Sequence, residues 1–322
     1  MKNTENMFFP GSGYMGIVAP STLYGLHQGE MLISGPCGIV QLEEKNEEAM
    51  LIALKKAGSL IPGSPQAIDD VNKLLADPRT SRTASYLLCS ANSCEELVAD
   101  FDRLKNAKIL VFGCGGIGSA TSLLLAGSGI NYLTITDGDR IEESNLNRQL
   151  FWHRSDLGKF KVDVLKNILS EKFPEMAIKT VRRNLELDDI ERLITDNYDA
   201  IVVTADEPAT LASDCNKIAE KYKIPVVSAG YLHRMCMTNF YDGSLNEGKA
   251  PSEQSIFSEP LIWKRLPNGI MPSYGPSNFA LASMLASSVV AVLANNTIGK
   301  PLQHSVVWDA NSMPLKFNTL SG

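Results

Sequence analysis

One stretch constrains this chain more than any other: residues 108–161, KILVFGCGGIGSATSLLLAGSGINYLTITDGDRIEESNLNRQLFWHRSDLGKFK. The apolar run Ile109 to Phe112 meets four glycines, Gly113, Gly115, Gly116 and Gly118, which open an Ala/Ser/Leu segment suited to a helix. The pattern predicts a strand, a tight turn and a helix start, the opening unit of an α/β sheet of dinucleotide-binding type. Such a turn bares backbone N–H groups at the positive end of a helix dipole, and glycine lets a phosphate approach without a Cβ in its path.

A second apolar run, Tyr132 to Thr136, ends in Asp137, 19 positions beyond Gly118, where this fold sets a carboxylate on ribose hydroxyls. So far NAD, FAD, a methyl donor and ATP all fit. The residues after Asp137 are more particular: Asp139, Glu142, then Ser144-Asn145-Leu146-Asn147-Arg148-Gln149, then Gly158-Lys159-Phe160-Lys161. Hydride transfer has no need of an Asn/Arg/Gln cluster with a lysine after it. A triphosphate does, because arginine offers a bidentate fork and lysine a compact charge over which phosphoryl charge is spread.

As an ordered set, GCGGIG, then DGDxIExSNLNRQ, then GKxK resembles the ATP-dependent adenylating enzymes related to ubiquitin-activating E1, including the molybdopterin- and thiamine-pathway activators. The resemblance runs over residues 79–310 and is nearest to the short members that modify ribosomally made peptides, of the pantocin A and microcin C7 types. It implies a Rossmann-like adenylation domain using ATP and Mg²⁺. Gly113, Gly115, Gly116 and Gly118 would face the nucleotide, Asp137 would hold its ribose, Asp139 would join the nucleotide-binding set, and Asn145, Arg148, Gln149 and Lys161 would cradle the phosphates. Asp206, closing the apolar run Ala200 to Thr204, matches the magnesium ligand, and Arg82 matches an arginine that reaches a partner subunit's triphosphate. A homodimer with shared sites is therefore implied.

At 322 residues the chain has room for about two domains. Hydrophobic residues at 44% and charged residues at 20% describe an ordinary globular protein, and a net charge of −6 disfavours a nucleic-acid surface. The opening MKNTENMFFPGSG lacks a basic region followed by a long apolar run, so no secretory signal is expected and the cytoplasm is the expected compartment. Six cysteines without a CxxC pair or a histidine at metal spacing read as reduced core residues. Many relatives hold zinc with CxxC pairs; no zinc site is expected here. The uncharged stretch from Pro267 to Gly299 reads as a buried packing or dimer helix rather than a membrane span, because its many Ala and Ser residues are only mildly apolar.

Residues 1–78 read as a separate winged-helix-like module. Short strands are expected at Ser21–Leu26, Glu30–Ser34 and Gly38–Leu42. Helices are expected at Asn46–Ala57, capped by Asn46, and Ser64–Ala76, with Pro65 in its first turn. By resemblance such a module binds the leader segment of a precursor peptide, and an extended peptide can pair with a sheet edge. The acidic pairs Glu43-Glu44, Glu47-Glu48 and Asp69-Asp70 speak against DNA.

Residues 79–322 form the expected adenylation domain. Strands are read at Ala177–Val181, Ala200–Thr204 and Pro225–Ala229, with edge strands at Val306–Trp308 and Leu315–Asn318. Helices are read at Glu95–Leu104, Val162–Phe173 and Asp188–Ile194. The Gly/Pro/Ser-rich segment 241–275 reads as a crossover loop over the substrate. It holds no cysteine, so thioester transfer is not expected and the attacker on an activated carboxylate should be internal to the peptide. This favours pantocin-type activation of Glu side chains with ring closure, ahead of microcin-type activation of a peptide C-terminus. His233 is read as a structural histidine in preference to a proton-transfer residue. The rival readings are a peptide-binding adaptor without chemistry and a nicotinamide oxidoreductase.

Overall fold

A computed structural model of the protein describes residues 16–44, 46–184, 189, 192–193, 197–205, 211–243, 273–301 and 304–310. They fall into two compact units: Met1–Asn106 with Gly127–Gly129 and Ala291–Lys300, and Ala107–Ala126 with Ile130–Val290 and Pro301–Gly322.

The first unit begins with β1 (Gly16–Val18), β2 (Leu23–His27), β3 (Glu30–Gly35) and β4 (Gly38–Gln41), then the helix Glu47–Lys56 and β5 (Leu60–Pro62). β2, β3 and β4 form an antiparallel sheet, while β1 and β5 pair with each other. The β2–β3 turn uses Gln28 and Gly29, both at positive φ (51° and 87°), the two-residue geometry whose twist matches the strands it joins. Asn46 does cap its helix, accepting from Ala49 N at 2.8 Å. Below this helix Ile33, Leu42, Ala53, Leu54, Ala57 and Leu60 close a small core. β2 stands outside that core, with all five of its residues exposed. The β1–β5 pair is silent in the sequence because three-residue strands carry too few alternations to show a period.

Three helices complete the unit: Pro65–Ala76, Ser81–Leu88 and Cys94–Asn106, the first packing on both others. The middle one, at eight residues, is an addition to the sequence-based expectation, and Arg82 is exposed on its first turn. Asp100 is fully buried and accepts from Thr297 N (2.8 Å), Thr297 Oγ1 (2.7 Å) and the Arg103 guanidinium. Arg103 in turn donates Nε to Leu293 O at 2.7 Å, so one ion pair ties down the end of a C-terminal helix.

The second unit is built on a seven-stranded sheet. Its strands are β6 (Lys108–Phe112), β7 (Tyr132–Thr136), β8 (Ala177–Val181), β9 (Ala200–Val203), β10 (Val226–Leu232), β11 (Met235–Tyr241) and β12 (His304–Asp309). They lie in the order β12-β11-β10-β9-β6-β7-β8. From β10 to β8 the pairing is parallel; β11 and β12 add antiparallel strands at one edge. Ile109, Leu110 and Val111 are all at 0% exposure, the continuous burial of a strand covered on both faces. The chain winds outward from β6 to β8, then returns to the other side of β6 as β9. That reversal opens a crevice at the carboxyl ends of β6 and β9, where open α/β sheets bind ligands.

β11 has no clear sequence signal, since Met235 to Tyr241 mixes polar and apolar residues on a strand buried on both faces. Val306–Trp308 lies within β12 as expected, whereas Leu315–Asn318, residues 244–272 of the crossover segment, and most of the helix expected over Asp188–Ile194 lie outside the described residues. The uncharged stretch folds as the helix Gly275–Leu293, long and apolar enough to cross a membrane by length and composition. Asn278, Leu281, Ala282, Leu285, Val289 and Leu293 are buried at intervals of mostly three and four, the spacing of one packed helix face.

Candidate active site

The glycine loop leaves β6 and enters the helix Gly116–Gly127. Three of its glycines are fixed by packing. Gly113 has φ +86°, and a Cβ there would lie 3.0 Å from Ala205 N. A Cβ on Gly118 would overlap the Gly113 carbonyl, and one on Gly116 would run into Asn278. Gly115 differs: among the described residues an added Cβ meets only Gln149 Nε2, at 4.0 Å. Among the described residues no packing demands a glycine there, and the open space beside a helix N-terminus is a cradle that a Cβ would fill.

Asp137, at the end of β7, is buried and binds the loops on either side of it. Cys114 N donates to its Oδ2 at 2.7 Å and Asp139 N to its Oδ1 at 2.8 Å. Both oxygens, expected at a ribose, are thus engaged in holding the glycine loop and the next turn. Asp139 points outward and receives Lys161 Nζ at 2.7 Å, a buried amine that starts the helix Lys161–Lys172. Gly138, between the two acids, donates N–H to Asn184 Oδ1 at 2.8 Å.

Burial pushes the Asp137 carboxyl pKa up, while the Lys161 charge and the two N–H groups pull it back. A raised pKa means that the folded state binds the proton more tightly than the unfolded one. The resulting stability is fully present below the ordinary carboxylate pKa of about 4 and is lost as pH rises through the raised value. Denaturant titrations across that window should therefore show wild type losing stability with pH more steeply than Asp137→Asn. Parallel curves would refute this.

The segment Glu142–Gln149 is shaped by Asn145. Its buried Oδ1 accepts from Glu142 N at 3.2 Å, and its backbone O accepts from Arg148 N (3.1 Å) and Gln149 N (3.0 Å). The turn sends Arg148 outward, where its guanidinium bonds Ser144 O and Asn147 Oδ1. It sends Gln149 inward beside Gly115, fixed by Trp152 Nε1 donating to Oε1 at 2.6 Å. The Thr204 hydroxyl, after β9, donates within reach of Phe112 O (2.8 Å) and Gly113 O (3.0 Å), closing the crevice between β6 and β9.

The structure thus brings Gly113, Gly115, Gly116, Gly118, Asp137, Asp139, Asn145, Arg148, Gln149 and Lys161 into one neighbourhood. Asp206 lies outside the described residues, and Arg82 belongs to the other unit. Sequence reasoning misses Asn184, Trp152, Thr204 and Asn278. Only Thr204, closing a strand, carries a positional signal. Cys114, inside the loop, turns its thiol inward toward Thr136 O at 3.8 Å, and burial raises its pKa well above normal, so it is a packing residue and not a nucleophile. His233 is neither a buried structural residue nor a visible proton carrier: it sits exposed at φ +55° in the two-residue turn between β10 and β11.

Arg, Lys and amide donors around an open glycine turn, with carboxylates beside them, suit a polyphosphate ester. Comparison with known proteins agrees in fold and family. Residues 94–321 match the ThiF family. The adenylyltransferase and sulfurtransferase uba4 of Aspergillus niger is 31% identical over 229 residues, 68% of this chain and 46% of that protein. The adenylyltransferase and sulfurtransferase MOCS3 of Culex quinquefasciatus is 32% identical over 160 residues, 49% of this chain and 35% of that protein. The chain thus spans less than half the length of these curated relatives. Among solved structures, Escherichia coli MccB with MccA superimposes with a TM-score of 0.70 at 22% identity, covering 92% of this chain and 94% of that one. PaaA does so with 0.61 at 20% identity, covering 90% and 95%. At such identity the likeness is one of fold. With the family match spanning most of the chain, over the sheet and glycine loop that form the crevice, the protein belongs to the ThiF family.

Proposed function

We propose that this protein is an ATP- and Mg²⁺-dependent adenylating enzyme that activates a carboxylate of a ribosomally made precursor peptide. The observation that carries the reading is the linked set of groups at the ends of β6 and β7: Gly115's open cradle with Gln149 beside it, Arg148 on the same turn as Gln149, and Lys161 on Asp139. In this reading the loop N–H groups, Arg148 and Lys161 take up the charge that develops as a carboxylate oxygen attacks the α-phosphorus and pyrophosphate leaves. Asp137 keeps the loop and the Asp139 turn in register. Magnesium usually keeps several waters and binds one or two carboxylates plus phosphates, so Asp206 with the triphosphate would suffice. MccB, a structural neighbour, has been solved with ATP and with MccA.

The substrate reading is a precursor peptide whose Glu side chains are activated for internal ring closure, in the manner of the pantocin type. The leader is taken by the first unit, and Arg82 serves the triphosphate of the second protomer in a homodimer. β2 supports the peptide part: Leu23 (68% exposed), Tyr24 (82%) and Leu26 (72%) stand on an uncharged edge strand whose outer hydrogen-bonding side has no neighbour among the described residues. Such an edge pairs readily with an extended chain. Replacing Tyr24 and Leu26 together by Lys should weaken precursor binding by about tenfold, roughly 1.4 kcal/mol, with ATP affinity unchanged. Fluorescence anisotropy of a labelled peptide measures this, and unaltered affinity would remove β2 from the recognition surface.

The main test is incubation with ATP, Mg²⁺ and a short candidate precursor peptide drawn from any neighbouring open reading frame, followed by intact peptide mass. Loss of water, with or without carbon dioxide, supports activation spent on ring closure. A retained AMP shifts the assignment to C-terminal adenylation of the microcin type, and an unchanged peptide with unspent ATP supports an adaptor. The names of the curated relatives favour a second reading, activation for sulfur transfer. The absence of cysteine from residues 241–275 opposes it, and a product with sulfur in place of oxygen would establish it.

A further inference from the structure

The side-chain amide of Gln149 has an accepting end and a donating end, and its neighbours fix which way round it lies. The residue is 6% exposed, and its Oε1 accepts the indole N–H of Trp152 at 2.6 Å. An indole nitrogen only donates, so the oxygen end of the amide must turn to Trp152 and the nitrogen end away from it. That nitrogen end looks onto the glycine loop. Around the position that a Cβ on Gly115 would take, Gln149 Nε2 is the nearest atom among the described residues, at 4.0 Å. Nε2 has no hydrogen-bond partner among the described residues, and the first N–H groups of the twelve-residue helix Gly116–Gly127 border the same space. The indole is itself held in place. Trp152 is buried and meets Phe151 edge to face with ring centroids 6.5 Å apart, and Phe151 lies 6.5 Å from Phe279 on the helix Gly275–Leu293.

We propose that Trp152 is a positioning residue: its indole N–H holds the Gln149 amide with the donating end toward the Gly115 space, where it binds a phosphate oxygen of the nucleotide. The inference rests on the ATP reading above and adds to it the group that sets the polarity of the site. The two ends of a glutamine amide have nearly the same shape and opposite hydrogen-bonding character. Turned over, the amide would aim a carbonyl oxygen at ionised phosphates, which only accept, and would set its own N–H groups against the indole N–H. Trp152 therefore acts on the affinity for the anion without touching it.

The test is calorimetric titration of wild type, Trp152→Phe, Gln149→Leu and the double variant with ATP and with inorganic triphosphate. Trp152→Phe, which keeps an aromatic ring and loses the N–H, is expected to bind both ligands about five- to tenfold more weakly. Gln149→Leu should lose at least as much. Adding Trp152→Phe to it should cost nothing further, because the tryptophan acts only through that amide. Losses that add in the double variant would mean that Trp152 merely supports the fold of the loop, and would overturn the proposal. Because phenylalanine also leaves a void, Trp152 is replaced in parallel by benzothienylalanine, which has the indole's size and a sulfur in place of the N–H. That protein should melt like wild type and show the same loss of affinity; wild-type affinity in it overturns the proposal whatever the phenylalanine variant does. Wild type that binds inorganic triphosphate but no ATP would overturn the adenylation reading, and the role of Trp152 would still be decided on triphosphate. Wild type that binds neither overturns both.

Discussion

Arg148→Ala is expected to reduce peptide-dependent ATP–pyrophosphate exchange by at least about a hundredfold, the usual scale for removing one charge-stabilising group from a transition state. The protein should remain folded, with a melting temperature within about 2 °C of wild type, since the side chain's bonds are to surface groups of its own turn. Binding of ATP should weaken far less than turnover falls, because in the proposed mechanism the arginine's contribution grows as charge moves onto the leaving pyrophosphate. Arg148→Lys should recover little: the ammonium keeps the charge but not the planar fork. Exchange at the wild-type rate in Arg148→Ala would remove this residue from the site. Lys161 is a poorer probe, because the buried amine also neutralises Asp139, and its loss would confound activity with folding.

The second large effect separates the glycines. In Gly118→Ala the new methyl group would sit inside the Gly113 carbonyl and against Thr204 Oγ1. Relieving that overlap must break the Thr204 contacts to Phe112 O and Gly113 O. A cost of about 3 kcal/mol, or roughly 6 °C or more in melting temperature, is expected from overpacking on this scale. Gly115→Ala should behave oppositely. Among the described residues its methyl meets nothing closer than Gln149 at 4.0 Å, so the unliganded protein should melt like wild type while ATP affinity falls by about tenfold or more. Melting curves with and without ATP test both. Equal stability losses at the two positions would show that Gly115 serves the fold and not a ligand.

Much of the nucleotide region is legible in the sequence because its signals are local. A strand, a glycine turn and a helix occupy adjacent residues, so the backbone demands of Gly113 and the run from Asp137 to Lys161 are written in order. The first module's hairpins and the cap at Asn46 are legible for the same reason. Asp137 is the instructive departure. Its distance from Gly118 predicts a carboxylate at the crevice, and one is there, but its oxygens hold Cys114 N and Asp139 N, leaving Asp139 as the outward acid. Spacing along a chain locates a side chain; it does not say which of two neighbouring acids points in.

By itself, then, the sequence determined an α/β protein with a glycine turn opening a helix and an ordered run of polar and charged residues beyond it, because these depend on short-range periodicity, glycine's conformational freedom and charge. Only the tertiary structure decided which groups meet across long separations. Asn184 reaches Gly138 from 46 residues away, Thr204 closes on Gly113 across 91, and Asn278 takes the space that Gly116 leaves empty. Those contacts arise from the strand order reversing between β6 and β9 and from the seating of a distant helix. Both are settled by burying apolar faces over the whole sheet, a sum of many weak terms that no local pattern records.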